Sequence, residues 1–112
     1  MHTFTAQDNI QILAVDSLID PTDNQIVIEE VQQLIQEGCH YFVVDLAQTT
    51  YLSSIGLTFL ISILTRARSA GGEVAIANLS DTIKKILLIT RLNSAFSVHE
   101  SVEEAIATLQ AT

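Results

Sequence analysis

The chain has 112 residues, 48% of them hydrophobic and only 5% aromatic, which is enough for one compact domain with one core. Thirteen acidic residues against five basic residues give a formal net charge of −8. Because clustered Lys and Arg hold phosphate backbones and anionic headgroups, this balance argues against binding to nucleic acid and against adhesion to an anionic membrane surface.

The sequence of the first half of the chain predicts two strands, a helix and a third strand. Residues 3–6 and 10–15 are short strands joined by a turn at Gln7, Asp8 and Asn9. Asp20-Pro21 ends the second strand, and Thr22, Asp23 or Asn24 can cap the helix that follows. The apolar positions of that helix are Val27, Val31, Leu34 and Ile35, and Gly38 closes it. The continuous apolar run of residues 41–47 predicts a strand covered on both faces.

The second half continues the alternation of helices and buried strands. A helix begins at Ser53 or Ser54 and ends near Ser69, and a buried strand covers 73–79. A helix over 80–92, capped by Ser80 or Asp81, precedes a short edge strand within 95–100. Ser101 and Glu104 form a capping box for the last helix. This order predicts a single-domain α/β sandwich over 1–112, with a mixed, largely parallel sheet of four to five strands and about four helices.

The sequence carries no pattern typical of an enzyme. There is no G-x-S-x-G, no G-x-G-x-x-G and no phosphate-binding P-loop. His2, His40 and His99 are scattered, and Cys39 is the only cysteine. We therefore expect a non-enzymatic protein without catalytic residues, metal or cofactor, with Cys39 as a free thiol.

Targeting signals are also missing from the sequence. No basic segment followed by an apolar one opens the chain, and no apolar run approaches the ~20 residues of a membrane span. A single cysteine allows no intramolecular disulfide. These features favour a cytoplasmic location and no contact with a membrane.

Ser53 and Ser54 stand where the buried strand gives way to a helix, at the edge where open α/β sheets carry functional groups. One interpretation is helix capping by a serine oxygen. The other is that a hydroxyl at a helix N-terminus carries a phosphate. Capping needs only one hydroxyl, so we assign the cap to Ser53 and the exposed switch to Ser54.

The helix after these serines has two apolar stripes. The expected core stripe comprises Leu57, Leu60, Ile61, Leu64 and Ala67. A second stripe, rotated away from the first, comprises Ile55, Phe59 and Ile63. So wide an apolar face indicates either burial against a neighbouring helix or a docking patch that starts at the serines.

Residues 43–106, "VVDLAQTTYLSSIGLTFLISILTRARSAGGEVAIANLSDTIKKILLITRLNSAFSVHESVEEAI", resemble the STAS domain of anti-sigma-factor antagonists. The family pattern is a strand ending in Asp, an aromatic-aliphatic pair, two polar residues before x-G-L, a glycine turn, a strand and an S-V-E-E-A run. The matching residues are Asp45, Tyr51, Leu52, Ser53, Ser54, Gly56, Leu57, Gly71, Gly72, Asn78, Leu79, Ser80, Thr90, Leu92, Ser101 and Val102. The resemblance covers roughly residues 10–110. The chain departs from the pattern at Ser53, where Asp is common, and at Ile55, where a small residue is usual.

The resemblance implies a phospho-regulated binding protein. It implies phosphorylation of Ser54, with Ser53 as the second candidate, by an anti-sigma factor that has serine kinase activity, and dephosphorylation by a PP2C-type phosphatase. Only the unmodified form would bind the anti-sigma factor. We expect the partner-binding residues to be Ser53, Ser54, Ile55, Gly56, Phe59 and Ile63, and we include a weak homodimer among the partners. The alternative is a STAS module of another complex, such as a lipid-transport subunit or signalling assembly, without phospho-switching.

Overall fold

A computed structural model describes residues 2–7, 9–18 and 20–111, so the predicted turn residue Asp8 lies outside the described residues. The elements alternate as the sequence predicts. In chain order they are β1 His2–Gln7, β2 Ile10–Val15, α1 Pro21–Gln36, β3 Tyr41–Asp45, α2 Ser54–Ser69, β4 Glu73–Ala77, α3 Asp81–Thr90, a 3₁₀ turn Leu92–Ser94, β5 Ser97–His99 and α4 Val102–Gln110.

The five strands form one mixed sheet whose spatial order, β1-β2-β3-β4-β5, is the order of the chain. β1 pairs antiparallel with β2, and the other three pairings are parallel. The predicted fold class is therefore confirmed, including the interior position of β3 and β4. Because β-α-β crossovers are right-handed, the three linking helices α1, α2 and α3 lie on one face of the sheet.

The core has two unequal parts, one on each face of the sheet. The larger cluster joins side chains of α1, α2 and α3 to one face of β2, β3 and β4, with Phe42, Val44 and Ile76 fully buried. The smaller cluster lies beneath α4, where Ala105, Ile106 and Leu109 pack with Val43, Ala75 and Ala77. Alternate residues of β3 thus point into different clusters, as a strand buried on both faces requires.

Side chains cap three of the four helices, but not always the predicted ones. Asp20 caps α1 by accepting from the backbone N–H of Thr22 and of Asp23, whereas Thr22, Asp23 or Asn24 was the expected cap. Asp20 is favoured because Pro21 follows it at the first helical position, where a missing N–H costs nothing.

The other two capped helices start at the expected serines. Ser80 accepts from Ile83 N–H at the start of α3. Ser101 accepts from Glu104 N–H at the start of α4, as half of the predicted capping box. The Glu104 carboxylate contacts His99 instead of turning back to the helix start.

α3 is shorter than the sequence predicts because the chain leaves the helix at Arg91. The predicted helix runs to Leu92, whereas α3 ends at Thr90. Arg91 adopts a left-handed conformation with φ 63°, which stops helical bonding, and the 3₁₀ turn follows. The last residues of α3, Leu88 to Thr90, are exposed.

Candidate functional site

The site lies at the carboxyl edge of the parallel strands. Loops leaving β2, β3 and β4 at this edge lead into the first residues of α1, α2 and α3, namely Pro21, Ser54 and Asp81. The first N–H groups of a helix have no partner within the helix and give its N-terminus a partial positive charge. Three such ends therefore open on the edge that carries the two serines.

The loop between β3 and α2 is fixed from both sides. The Asp45 carboxylate accepts from Ala47 N–H at 3.0 Å and from the Asn78 side-chain amide at 3.0 Å, which ties the ends of β3 and β4 together. On the other side, the buried Thr49 hydroxyl donates to the Val15 carbonyl at 2.8 Å. These bonds hold the first half of the loop, up to Thr49, against the ends of β2 and β4.

Gly56 allows the loop before α1 to approach α2. A Cβ at this position would lie 2.8 Å from the Leu52 side chain and 3.3 Å from the Leu18 Cβ. Leu18 is itself held by the Asn24 amide, which donates to the Leu18 carbonyl at 3.0 Å. Gly56 is buried in this contact, which corrects its predicted place on the partner-binding surface: the glycine shapes the site from below.

Ser53 occupies the N-cap position of α2 but does not cap it. Its backbone is extended, as a cap requires, and its carbonyl accepts from Leu57 N–H at 3.0 Å. The hydroxyl makes no capping bond, and its Oγ is buried without a partner among the described residues. The predicted capping position is thus right and the predicted hydrogen bond is wrong, because the side chain turns inward away from the helix N–H groups.

Ser54 is the first residue of α2, and it is exposed. Its carbonyl accepts from the Thr58 hydroxyl at 2.8 Å, so the backbone here is held in the helix. The structure therefore distinguishes the two serines: Ser54 is exposed, whereas the Oγ of Ser53 is buried.

A groove of about 280 Å³ runs beside Ser54, between the first turns of α1 and α2. Its lining residues are Pro21, Asn24, Gln25, Ile28, Ser54, Ile55, Thr58 and Phe59. None of these side chains is charged, and the Asn24 and Thr58 side chains already donate to carbonyls of this chain. The groove is therefore a neutral, largely apolar surface that can hold part of a partner's side chain.

The predicted docking stripe is mostly part of the core. Phe59 and Ile63 are each 1% exposed and belong to the main cluster, so neither is the exposed docking residue that the sequence predicted. Phe59 still reaches the wall of the groove, whereas Ile63 does not line it. Ile55 is 39% exposed and lies on the groove, where it can meet a partner. The expected core stripe also needs a correction, since Ile61 is 42% exposed.

This rotation of α2 follows from its packing against α1 as well as against the sheet. Phe59 shares the groove wall with Ile28 of α1, which is the burial against a neighbouring helix that the sequence left open. Pro21, Gln25 and Ile28 were missed as groove residues. Spacing within α1 contains no signal for them, because the groove exists only where two helices meet.

The remaining candidate groups form no second site. Cys39 is a free thiol, half-buried, and burial raises its pKa, so the neutral form is favoured. Among the residues that the structure describes, no cluster of His, Cys, Asp or Glu could hold a metal ion. Within the same residues, no helix is long and apolar enough to cross a bilayer.

Comparisons with known proteins agree on the family and the fold. The protein named "Putative anti-sigma factor antagonist BtrV" of Bordetella bronchiseptica is 24% identical over 100 residues, which are 89% of this chain and 86% of that protein. The anti-sigma factor antagonist SpoIIAA of Bacillus has a similar fold, with 14% identity. The unphosphorylated form gives a TM-score of 0.84 over 100% of this chain and 98% of that one. The phosphorylated form gives 0.76 over 96% and 98%.

The same fold occurs in a protein of another kind. A sulfate transporter family protein of Wolinella succinogenes gives a TM-score of 0.80 at 14% identity, over 96% of this chain and 89% of that one. The sequence model of the STAS domain matches residues 3–105, nearly the whole chain. The chain belongs to the STAS domain family and has the fold of the anti-sigma factor antagonists.

Proposed function

We propose that this protein is a non-enzymatic anti-sigma-factor antagonist that works by partner switching in the bacterial cytoplasm. The unmodified protein binds a kinase-type anti-sigma factor through the surface around Ser54, phosphorylation of Ser54 releases it, and a PP2C-type phosphatase resets it. The likeness to BtrV over most of both chains supports the class of partner.

The observation that carries the proposal is the difference between the two serines. A kinase must reach the hydroxyl that it modifies, and Ser54 is exposed at the start of α2 while the Oγ of Ser53 is buried. Ser54 also stands on the wall of a groove, so a partner seated there must contact it. Access and position therefore both favour Ser54 over Ser53.

A phosphate at Ser54 would change binding far more than folding. It adds about −1.5 to −2 charges, and near a helix N-terminus an anion is favoured by about 0.3–1 kcal/mol. The fold should therefore tolerate the modification. A partner covering the groove would have to bury that charge, which costs several kcal/mol unless a cation meets it, and no groove residue of this chain supplies one.

The first experiment locates the phosphate. The protein is incubated with ATP and a purified kinase-type anti-sigma factor. Cleavage before Asp residues and after Arg then releases residues 45–66 for mass spectrometry, since no Lys or Arg precedes Arg66. We expect one phosphate on Ser54 in the wild type and in Ser53→Ala, and none in Ser54→Ala. Modification of Ser53 would contradict the proposal.

The second experiment measures binding of the same anti-sigma factor by calorimetry. Ser54→Ala should bind like the unmodified wild type and stay bound in the presence of ATP. Ser54→Asp should bind at least about tenfold more weakly, since it places a charge in the interface. Ser69→Ala, which removes an exposed serine at the far end of the same helix, is the matched control and should bind normally.

The second candidate is a STAS module of another complex without phospho-switching. It is favoured by Ile55, a branched and partly exposed side chain next to Ser54, where a small residue would leave a kinase more room. The absence of phosphate on Ser53 and Ser54, with a kinase that modifies an established substrate under the same conditions, would select this candidate.

A further inference from the structure

The outer face of α3 is unusually apolar for an exposed helix. Leu88 is 64% exposed and Ile89 is 80% exposed. Lys85 lies three positions before Leu88 and four before Ile89, which places it on the same side of the helix. These three side chains, together with Arg91 just beyond the end of α3, are called the α3 surface below. Neighbouring exposed apolar residues of this kind mark a contact site more often than isolated ones do.

The α3 surface also concentrates positive charge on an acidic molecule. The sequence has five basic residues, and three of them, Lys84, Lys85 and Arg91, lie on α3 or at its end. Lys84 pairs with Glu100 at 3.3 Å. Among the described residues, Lys85 and Arg91 form no ion pair and are exposed, so their charges are available to a partner.

The outer face of α1 has the opposite charge and the same apolar character. Ile26 is 48% exposed, with Asp23 and Glu29 three positions before and after it. Both acidic residues are exposed, and no basic residue occurs in α1. Asp23, Ile26 and Glu29 form the α1 surface, which complements the α3 surface in charge and matches it in its central apolar contact.

We infer that the α3 surface of one copy docks on the α1 surface of a second copy, in a head-to-tail contact. A symmetric contact between two α3 surfaces would place like charges together, whereas the α1–α3 contact pairs opposite charges. An anionic membrane is a poorer occupant, because the rest of the molecule is strongly acidic.

The contact should be weak and open-ended. α3 spans ten residues, about 15 Å, so the area buried falls below that of a stable dimer. The α1 surface and the α3 surface are separate parts of the molecule. After docking, one copy therefore keeps its α1 surface free and the other copy keeps its α3 surface free. Such head-to-tail contacts extend into chains unless a ring closes.

Sedimentation velocity across a range of protein concentrations tests the inference with the protein alone, without kinase or ATP. The wild type should self-associate increasingly with concentration. Lys85→Glu and Glu29→Lys should each weaken association about fivefold, because each replaces an attraction at a solvated contact by a repulsion of similar size. The double variant carries the wild-type net charge with the two signs exchanged and should restore association.

Circular dichroism and urea unfolding check that each variant is folded. We expect both charge variants to fold, because Lys85 and Glu29 are exposed. Ile89→Ser, which leaves every charge in place, should also weaken association. A wild type that stays monomeric throughout would overturn the inference. Association that is unchanged by Lys85→Glu and by Glu29→Lys would also overturn it, and would point to another contact such as pairing of the edge strand β1. A double variant whose association stays weak would overturn it as well.

Discussion

α2 and α3 both begin after a serine with extended backbone, yet the two helix starts differ. At α3, Ser80 accepts from Ile83 N–H and is a working cap. At α2, the Ser53 hydroxyl is buried and has no partner among the described residues, and none of their side chains bonds to the first N–H groups of the helix. The start of α2 is therefore less well stabilised locally, and its N–H groups stay available to an anion on the exposed residue that follows.

The difference shows which part of α2 holds the helix in place. Its first turn lacks a cap, but Phe59, Leu60, Ile63 and Leu64 pack into the main core cluster. A helix anchored by its core face can begin with an unsatisfied end. The four predictions below test this division, from the largest expected effect to the smallest.

Phe59→Ala should lower the free energy of unfolding by about 3–5 kcal/mol, the usual cost of truncating a fully buried aromatic side chain. Urea denaturation measures it. Ile55→Ala, one turn earlier on the exposed part of α2, is the matched control and should cost less than about 1 kcal/mol. Similar losses for the two variants would mean that the core face does not anchor the helix.

Ser80→Ala should lower the free energy of unfolding by about 0.5–2 kcal/mol, because it removes the side-chain bond to Ile83 N–H. Ser80→Asp, which keeps an acceptor at the cap, should retain most of the stability in the same urea titration. Equal losses for alanine and aspartate would show that Ser80 acts through packing and not as a cap.

Ser53→Ala should leave the free energy of unfolding unchanged or raise it by up to about 1 kcal/mol, because it removes a buried hydroxyl that has no hydrogen bond to any described residue. Ser80→Ala should lower the free energy of unfolding and Ser53→Ala should not, and this contrast is the most direct test of the difference between the two helix starts. A loss above about 0.5 kcal/mol, the low end for a lost N-cap, would show that Ser53 caps α2 in solution.

Ser54→Asp should raise the free energy of unfolding by about 0.3 kcal/mol, the low end for an exposed anion at a helix N-terminus. The gain should shrink as salt is added, since the site is open to solvent. Urea titrations at low and high ionic strength measure it. Marked destabilisation at low salt would contradict the proposal that the fold tolerates a phosphate at this residue.

The sequence predicts the order of elements well because strands and helices here have simple periodicity and strong end signals. The continuous apolar run over Tyr41–Asp45 and the serines before α3 and α4 are examples. The orientation of α2 was harder to predict, since both apolar stripes are consistent with burial. Contact with α1 decides that Phe59 and Ile63 lie inside and Ile61 outside.

The candidate site could be predicted only in part for the same reason. The exposure of Ser54 could be predicted from its position at the start of a helix that follows a buried strand. The orientation of the Ser53 hydroxyl could not, because it depends on side-chain packing that the spacing of residues does not encode. The groove wall formed by Gln25 and Ile28 depends on the approach of two helices. The close approach of the loop before α1 to α2 depends on Gly56, whose Cβ would touch Leu18 and Leu52.

The strand order has a consequence for how the chain folds during synthesis. Each strand pairs only with strands that are its neighbours along the chain, so no strand has to be inserted later between two that have already paired. Because ribosomes release the N-terminal end first, the sheet can grow from β1 towards β5 in the order of translation. Contacts between adjacent segments also keep loop closure short, which favours rapid folding for a protein with this much parallel sheet.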